Sequence, residues 1–327
     1  MINRKAKFTC ILLLIFSILL SSCVDQHPEK NKNDKKSEDI SLGEYDKDDY
    51  SLAAKLAKRE VDGKAEAARI VATSPAVADI CDRLNLDLVA ISDSNINKLP
   101  DRYKDVERIG LPMNPDTEKL SMIKADWILS PVSLMGDLRP KYDAIGSQWA
   151  FLNLNSVQGM YKSIDELGYI FNRQEEAKKL NDEFQNFYKT YSDKHKGSKK
   201  PKVMILMGLP GSYIIATEHS YVGSLVKLAG GENVYQDDEK QFLNVNTEDM
   251  KLKEPDIILR AAHALPQNVK EMFNKEFREN DIWKHFDAVK KGKVYDLSYD
   301  KFGMSAKFNY PQALEELEPL LYGGGTK

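Results

Sequence analysis

The stretch RIVATSPAVADICDRLNLDLVAIS, from Arg69 to Ser92, decides the fold class of this chain of 327 residues. It predicts a strand, a helix that starts at Ser74-Pro75, a loop and a second strand, because apolar runs lie on both sides of the Ser-Pro helix signal. Two strands with one helix between them form a parallel β-α-β unit. The stretch therefore places the chain in the α/β class.

A second unit of the same kind begins at Pro201. It has the apolar strand KVMILMG, a Gly/Pro turn and the helix SYVGSLVKLAGGENV, which Gly230-Gly231 closes. Between the two units, apolar residues in QEEAKKLNDEFQNFYKTYSDKHKG recur every three or four positions. We expect one long helix over residues 174–197 that joins two α/β lobes and limits how far they hinge.

The two lobes share an ungapped repeat. NPDTEKLSMIKADWILS starts at Asn114 and NVNTEDMKLKEPDIILR starts at Asn244, so equivalent residues lie 130 positions apart. Each copy predicts a capped helix start at Thr followed by Glu, a short helix, a turn and a buried strand. The repeat indicates pseudo-symmetric lobes with parallel sheets, and the cleft between them is the default ligand site.

Two candidate binding residues follow from these patterns. His263 comes shortly after the second buried strand in DIILRAAHALPQNV, and the carboxyl ends of parallel strands face the ligand crevice. From the sequence alone, a capping or core role suits this histidine better than ligation. Met113 stands between Pro112 and Pro115, which predict a stiff, extended turn. It is either a packed loop residue or an exposed soft ligand.

The first residues predict export. Basic residues precede the apolar stretch Phe8–Leu20, and small residues follow, as in a signal peptide. The sequence Leu-Ser-Ser-Cys at its end resembles the lipobox of bacterial lipoproteins, whose cysteine, here Cys23, is lipidated. The Lys-, Asp- and Glu-rich residues after it predict a flexible tether. Cys81 is the remaining cysteine of the mature chain, so no internal disulfide is expected.

Charge and motifs argue against two functional classes. A net charge of -3 and a pI of about 6.1 give no basic footprint for nucleic acid. Gly-x-Ser-x-Gly, His-Glu-x-x-His and clustered carboxylate pairs are missing from the sequence, so we do not expect an enzyme. The predicted organisation is a signal peptide, an anchor and tether, an N-terminal lobe, a joining helix and a C-terminal lobe, over residues 1–22, 23–66, 67–173, 174–197 and 198–327.

From about Ala67 onward, the chain resembles the ABC-importer binding proteins for iron chelates, haem and cobalamin. Stretches such as LPDRYKDVERIGLPMNPDTEKL, LMGLPGSYIIATEHSYVGSLVKLAGGENV and PDIILRAAHALPQNVKEMFNKEFRENDIWKHF are similar to haem-receptor lipoproteins of the iron-regulated surface determinant system. The resemblance implies that Met113 and His263, one from each lobe, are the axial ligands of a haem iron.

The resemblance also assigns roles to other positions. Pro75, Ala76, Asn95 and Ile96 fall where the family lines its pocket, although SDSNINKLP lacks the family's tyrosine and is one residue longer. The turn at residues 208–213 is the matching turn of the second lobe, and it either contacts the ligand or is a tight turn without ligand contact. In this superfamily, acidic residues on the two lobe tips dock onto arginines of the permease. Glu118 and Glu248 are the carboxylates that the repeat shares, so they are candidates for this docking. The alternative is that they are helix-start carboxylates that the helix dipole favours, and both interpretations can hold together.

The function implied by the resemblance is capture of haem b and its delivery to an ABC permease dimer. An upstream haem-donor surface protein would supply the haem to a monomer anchored on the outer face of a Gram-positive cell membrane. A siderophore- or cobalamin-binding lipoprotein of the same fold is the first alternative. A haem-modifying cleft enzyme and a lipid-anchored adhesin are alternatives from other classes.

Overall fold

The computed structural model of the protein describes residues 51–62, 68–94, 98–236 and 240–323. The predicted signal peptide, Cys23 and most of the predicted tether lie outside these ranges, as do Asn95 and Ile96. Within the described ranges, no helix has both the length and the apolar character that crossing a membrane requires.

Strands and helices alternate along most of the chain. The strands are β1 (Ile70–Ala72), β2 (Leu88–Ile91), β3 (Glu107–Arg108), β4 (Gly110–Leu111), β5 (Asn114–Pro115), β6 (Trp127–Pro131), β7 (Gln148–Leu152), β8 (Lys202–Leu209), β9 (Ser212–Ala216), β10 (Glu232–Asn233), β11 (Phe242–Leu243), β12 (Ile257–Ala262) and β13 (Val294–Asp296). The helices are α1 (Leu52–Asp62), α2 (Pro75–Arg83), α3 (Thr117–Ile123), α4 (Met135–Ile145), α5 (Val157–Ile170), α6 (Gln174–Lys194), α7 (Tyr221–Leu228), α8 (Thr247–Leu252), α9 (Pro266–Glu279), α10 (Asp287–Lys290) and α11 (Tyr310–Tyr322).

The first lobe contains a parallel sheet in the order β3-β2-β1-β6-β7. β1, the first strand along the chain, is fully buried, as expected for a strand covered on both faces. The Oγ of Ser74 accepts a hydrogen bond from Val77 N, and Pro75 occupies the first turn, so α2 begins where the Ser-Pro signal predicts. β1 and β2 pair in parallel on either side of α2 in the sequence. The predicted β-α-β unit is confirmed.

The second lobe contains a mixed sheet in the order β11-β9-β8-β12-β13, and β10 also pairs with β8. β12 and β13 run parallel to β8, whereas β9 is antiparallel to β8 and β11 is antiparallel to β9. The α/β fold class is confirmed, but the prediction of a wholly parallel second sheet is wrong. Pro210 and Gly211 form a two-residue turn that folds β9 back on β8, and Gly211 has a φ of 84°.

The two copies of the repeat have the same local structure. Asp126 Oδ2 accepts a hydrogen bond from Arg69 N at 2.8 Å, and Asp256 Oδ2 accepts one from Lys202 N at 2.9 Å. Each aspartate therefore fastens the start of one central strand to the start of its neighbour. One correction applies to the helix caps. The helices start at the threonines, but the caps are Asp116 and Asn246, whose side chains each accept two backbone N–H bonds.

Aromatic packing joins α5, α6 and α11. Phe184 of α6 lies with its ring centroid 4.7 Å from that of Tyr161 on α5 and 5.4 Å from that of Tyr310 on α11. The N–H of Ala306 donates to the Leu154 carbonyl at 2.8 Å. Since α11 also packs on α7, these contacts tie the two lobes together beside the joining helix. Large lobe rotation would have to break this packing.

The contact between α5 and α6 generates a pH prediction. Burial raises the pKa of Asp165 to about 7, although Lys162 opposes the shift. Because the folded state holds a proton that the unfolded chain releases near pH 4, the free energy of unfolding should fall as pH rises from about 4 to 7. Asp165→Asn should flatten this fall and stabilise the protein by about 1–2 kcal/mol at pH 8, a value discounted for partial exposure.

Urea denaturation of the ligand-free protein across this pH range measures the effect. Asp193→Asn, at the exposed end of α6, is the control and should keep the wild-type slope. Equal slopes for Asp165→Asn and the wild type would contradict the prediction.

Candidate functional site

Met113 lies at the tip of a two-stranded hairpin. β4 and β5 pair with Leu111 opposite Asn114, so Pro112 and Met113 are the two turn residues. The hairpin is held at its base by the Asp93 N–H, which donates to the Gly110 carbonyl at 2.8 Å. The Met113 side chain is 71% exposed. The structure therefore favours the interpretation of Met113 as an exposed residue over its interpretation as a packed loop residue.

His263 directly follows the carboxyl end of β12 and is half-buried. Its N–H donates to the Gly208 carbonyl on β8 at 2.9 Å, so the backbone pairing of β8 and β12 fixes its position. The side-chain Nδ1 is buried and has no hydrogen-bond partner in the described part of the chain. Nε2 is the ring nitrogen left for a ligand.

Residues around His263 hold its strand in place. Arg260 forms a two-pronged ion pair with Asp296 at 2.7 and 2.8 Å and donates to Asn274 at 3.1 Å. Leu265 adopts a left-handed backbone conformation with a φ of 46°, and Pro266 then starts α9. The sharp change of direction after β12 leaves the Leu265 side chain exposed.

Exposed large apolar side chains cluster in the segments that follow strand ends. Leu111 and Met113 follow β3, Met135 follows β6, and Leu265 follows β12. Because carboxyl ends of parallel strands lie at the same edge of a sheet, these residues place three exposed apolar side chains at that edge of the first lobe and one at that edge of the second. Apolar groups at these edges suit a flat, largely apolar ligand better than a small hydrophilic one.

Pro75 and Ala76, in the first turn of α2, line a cavity of about 610 Å³. Its walls come from α2, from the segment before β3 and from the segment that leads into α11; besides Pro75 and Ala76, the lining residues are Asp79, Asp82, Arg83, Lys98, Leu99, Pro100, Asp101, Lys307, Phe308, Asn309 and Gln312. Met113 and His263 are not among them. The cavity therefore adjoins the helix start but does not bring the two predicted ligands together.

Of the lining residues, sequence reasoning identified Pro75 and Ala76 alone, and Arg83, Lys307 and Phe308 are among those that it missed. Burial lowers the pKa of the Lys307 amine, and the Arg83 guanidinium lies 4.0 Å from the ring centroid of Phe308. The latter contact joins α2 of the first lobe to the segment before α11. No local pattern signals it, because the partners are far apart in the sequence and meet only when the lobes assemble.

Glu118 and Glu248 lie in the first turns of α3 and α8, and both are exposed. Neither carboxylate takes part in an ion pair within the described residues. The nearby Lys119 is occupied with Glu107, at 3.1 Å. The two glutamates are therefore equivalent in structure and available to a partner.

The chain belongs to the periplasmic binding protein family, because the model of that family matches residues 70–300. It is 44% identical over 255 residues to the high-affinity heme uptake system protein IsdE of Staphylococcus aureus (strain Newman), an alignment that covers 78% of this chain and 87% of the relative.

Two solved structures of related proteins are also similar to this chain. The crystal structure of S. aureus IsdE complexed with heme superposes with a TM-score of 0.73 at 44% identity, covering 79% of this chain and 100% of that one. An ABC transporter substrate-binding protein from Listeria monocytogenes EGD-e gives a TM-score of 0.75 at 48% identity, covering 79% and 99%.

The backbone beneath His263 generates a stability prediction. A Cβ on Gly208 would lie 2.2 Å from Val269 Cγ1 and 2.7 Å from Phe273 Cε2, both on α9. Gly208→Ala should therefore push α9 away from β8 and lower the free energy of unfolding by about 1–3 kcal/mol. Thermal or urea denaturation measures this. Gly136→Ala on α4, where nothing lies within 4 Å of the added Cβ, should be neutral or stabilising. Equal losses in both variants would contradict this account.

Proposed function

We propose that this protein captures haem between its two lobes and passes it to an ABC permease, without covalent chemistry of its own. The observation that carries the proposal is the placement of Met113 and His263. Each lies on an ordered segment after a strand end, one in each lobe, within a chain 44% identical to a heme uptake protein.

Met113 Sδ and His263 Nε2 are the proposed axial ligands of the haem iron. Imidazole binds ferric and ferrous iron, and a thioether opposite it favours the reduced state. The exposed apolar side chains Leu111, Met135 and Leu265 would cover the faces of the porphyrin.

Pro75 and Ala76 are proposed to line the haem pocket, and we extend the same proposal to Asn95 and Ile96, which lie outside the described residues. The positive dipole end of α2 and the Ala76 N–H suit a propionate, since Pro75 has no N–H and the Val77 N–H is bonded to Ser74 Oγ. With one iron ligand in each lobe, separation of the lobes would break one bond and release the haem. The aromatic packing around Phe184 argues for a small separation.

The setting of the protein is also a proposal. We infer that Cys23 is lipidated and holds the chain on the outer face of a Gram-positive cell membrane. The tether would then lift a monomer toward an upstream haem donor. The transported ligand is proposed to be haem b, and the lobe boundaries are kept at residues 67–173 and 198–327 with the joining helix between them.

Absorption spectroscopy tests the axial ligands. Purified protein mixed with haemin should give a six-coordinate, low-spin spectrum, and His263→Ala should lose it and bind haemin about tenfold or more weakly. Met113→Ala should give a five-coordinate spectrum whether the haem iron is oxidised or reduced. His219→Ala, on an exposed histidine that follows the antiparallel strand β9, is the matched control and should be unchanged.

An unchanged spectrum in both His263→Ala and Met113→Ala would remove the axial-ligand assignment. Binding of a ferric siderophore or cobalamin in preference to haemin would favour the alternative cargo.

Glu118 and Glu248 are proposed to dock onto the permease dimer, one glutamate on each subunit. Exposed ion pairs are individually weak, at roughly 0.2–1 kcal/mol, so either single change to alanine should slow haemin uptake by no more than a few-fold. Glu118→Ala/Glu248→Ala should slow it by about tenfold while haemin binding stays normal. Uptake of labelled haemin by cells carrying each variant measures this. Full uptake by the double variant would refute the docking role.

A further inference from the structure

Two exposed apolar side chains stand apart from the strand ends. Met122 on α3 is 75% exposed and Leu252 on α8 is 81% exposed, the highest values among large apolar side chains in the described ranges. Single exposed apolar residues are ordinary on protein surfaces and need no explanation. These two differ, because they occupy equivalent positions, 130 residues apart, in the two copies of the repeat.

The helices that carry them are anchored in the same way. Leu120 of α3 is buried in the core of the first lobe, and Met250 of α8 is buried in the core of the second. Two residues further on, a helix has turned by about 200°, so Met122 and Leu252 point away from those cores. Both side chains are therefore held outward by their helices.

Each apolar side chain shares its helix face with a glutamate. Glu118 precedes Met122 by four residues, and Glu248 precedes Leu252 by four, a spacing that puts the members of each pair side by side. Two lysines near these pairs bind other carboxylates, since Lys119 pairs with Glu107 and Lys253 with Asp249. Each lobe thus presents the same combination of one carboxylate and one large apolar group.

We propose that Met122 and Leu252 are the apolar half of the permease-docking surface, each inserting into an apolar socket beside the cation that pairs with Glu118 or Glu248. This inference rests on the proposed docking role and extends it. Two equivalent patches fit a partner made of two equivalent subunits, because a two-fold partner offers the same socket twice.

The apolar group has a physical role that the glutamate cannot perform. An exposed ion pair is screened by water and salt and contributes little affinity, although it orients the approaching partner. Burial of a methionine or leucine beside the pair removes apolar surface from water and excludes water from the charges. The carboxylate would set direction and encounter rate, and the apolar contact would set how long the complex lasts.

The test replaces both apolar groups in the full chain at its native locus. Met122→Gln/Leu252→Gln should fold, reach the cell surface and bind haemin like the wild type. Its initial rate of labelled-haemin uptake at limiting haemin should fall about tenfold. Each single variant should show a smaller fall in the same rate. Met122→Leu/Leu252→Met keeps apolar groups at both positions and should retain uptake. Leu56→Gln, an exposed apolar position on α1, is the matched control and should also retain it.

Each outcome decides a separate point. Wild-type uptake by the double glutamine variant overturns the inference. Weakened haemin binding or a lowered melting temperature in that variant also overturns it, because the residues would then serve the fold. If glutamine variants fail while Glu118→Ala/Glu248→Ala does not, the apolar contact stands and the docking role of the glutamates falls. If deletion of the gene leaves haemin uptake unchanged, the proposed function fails and this inference falls with it.

Discussion

Backbone pairing between β8 and β12 is the constraint on which the candidate site depends. The two strands pair in parallel over six residues, from Ile257 opposite Val203 to Ala262 opposite Gly208. The last bond of this ladder comes from the His263 N–H to the Gly208 carbonyl. The histidine is thus positioned by a buried sheet and not by a free loop, and a ligand bound there would meet a preorganised imidazole.

The first lobe holds its proposed ligand residue in place in a different way. β1 and β6 pair as β8 and β12 do, and Asp126 and Asp256 fasten the two pairs in the same way. Met113, however, lies on a separate hairpin beyond the sheet. One proposed ligand is therefore held by the central sheet and the other by an exposed turn. The turn is the side on which small adjustments cost less, since fewer buried contacts would change.

Several features of the fold could be predicted because they depend on local sequence patterns. The Ser-Pro start of α2, the long amphipathic α6 and the buried strands of the repeat all depend on neighbouring residues, and the structure has them at the predicted places. The sequence does not reveal the reversal of β9, because a Pro-Gly turn after a strand is compatible with a following helix as well as with an antiparallel strand. The helix caps were misplaced by one residue, because Asp116 and Asn246 cap as well as the threonines beside them would.

By itself, the sequence determined that the protein has two related α/β halves, that His263 follows a buried strand and that Met113 lies in a turn between two prolines. These properties depend on periodicity, turn residues and an internal repeat, all of which act over short distances. The tertiary structure decided that His263 Nδ1 is buried, that Arg83 meets Phe308 across the lobes, and that Met122 and Leu252 point outward beside the glutamates. Burial and contacts between distant segments exist only after the lobes have packed, so no local pattern encodes them.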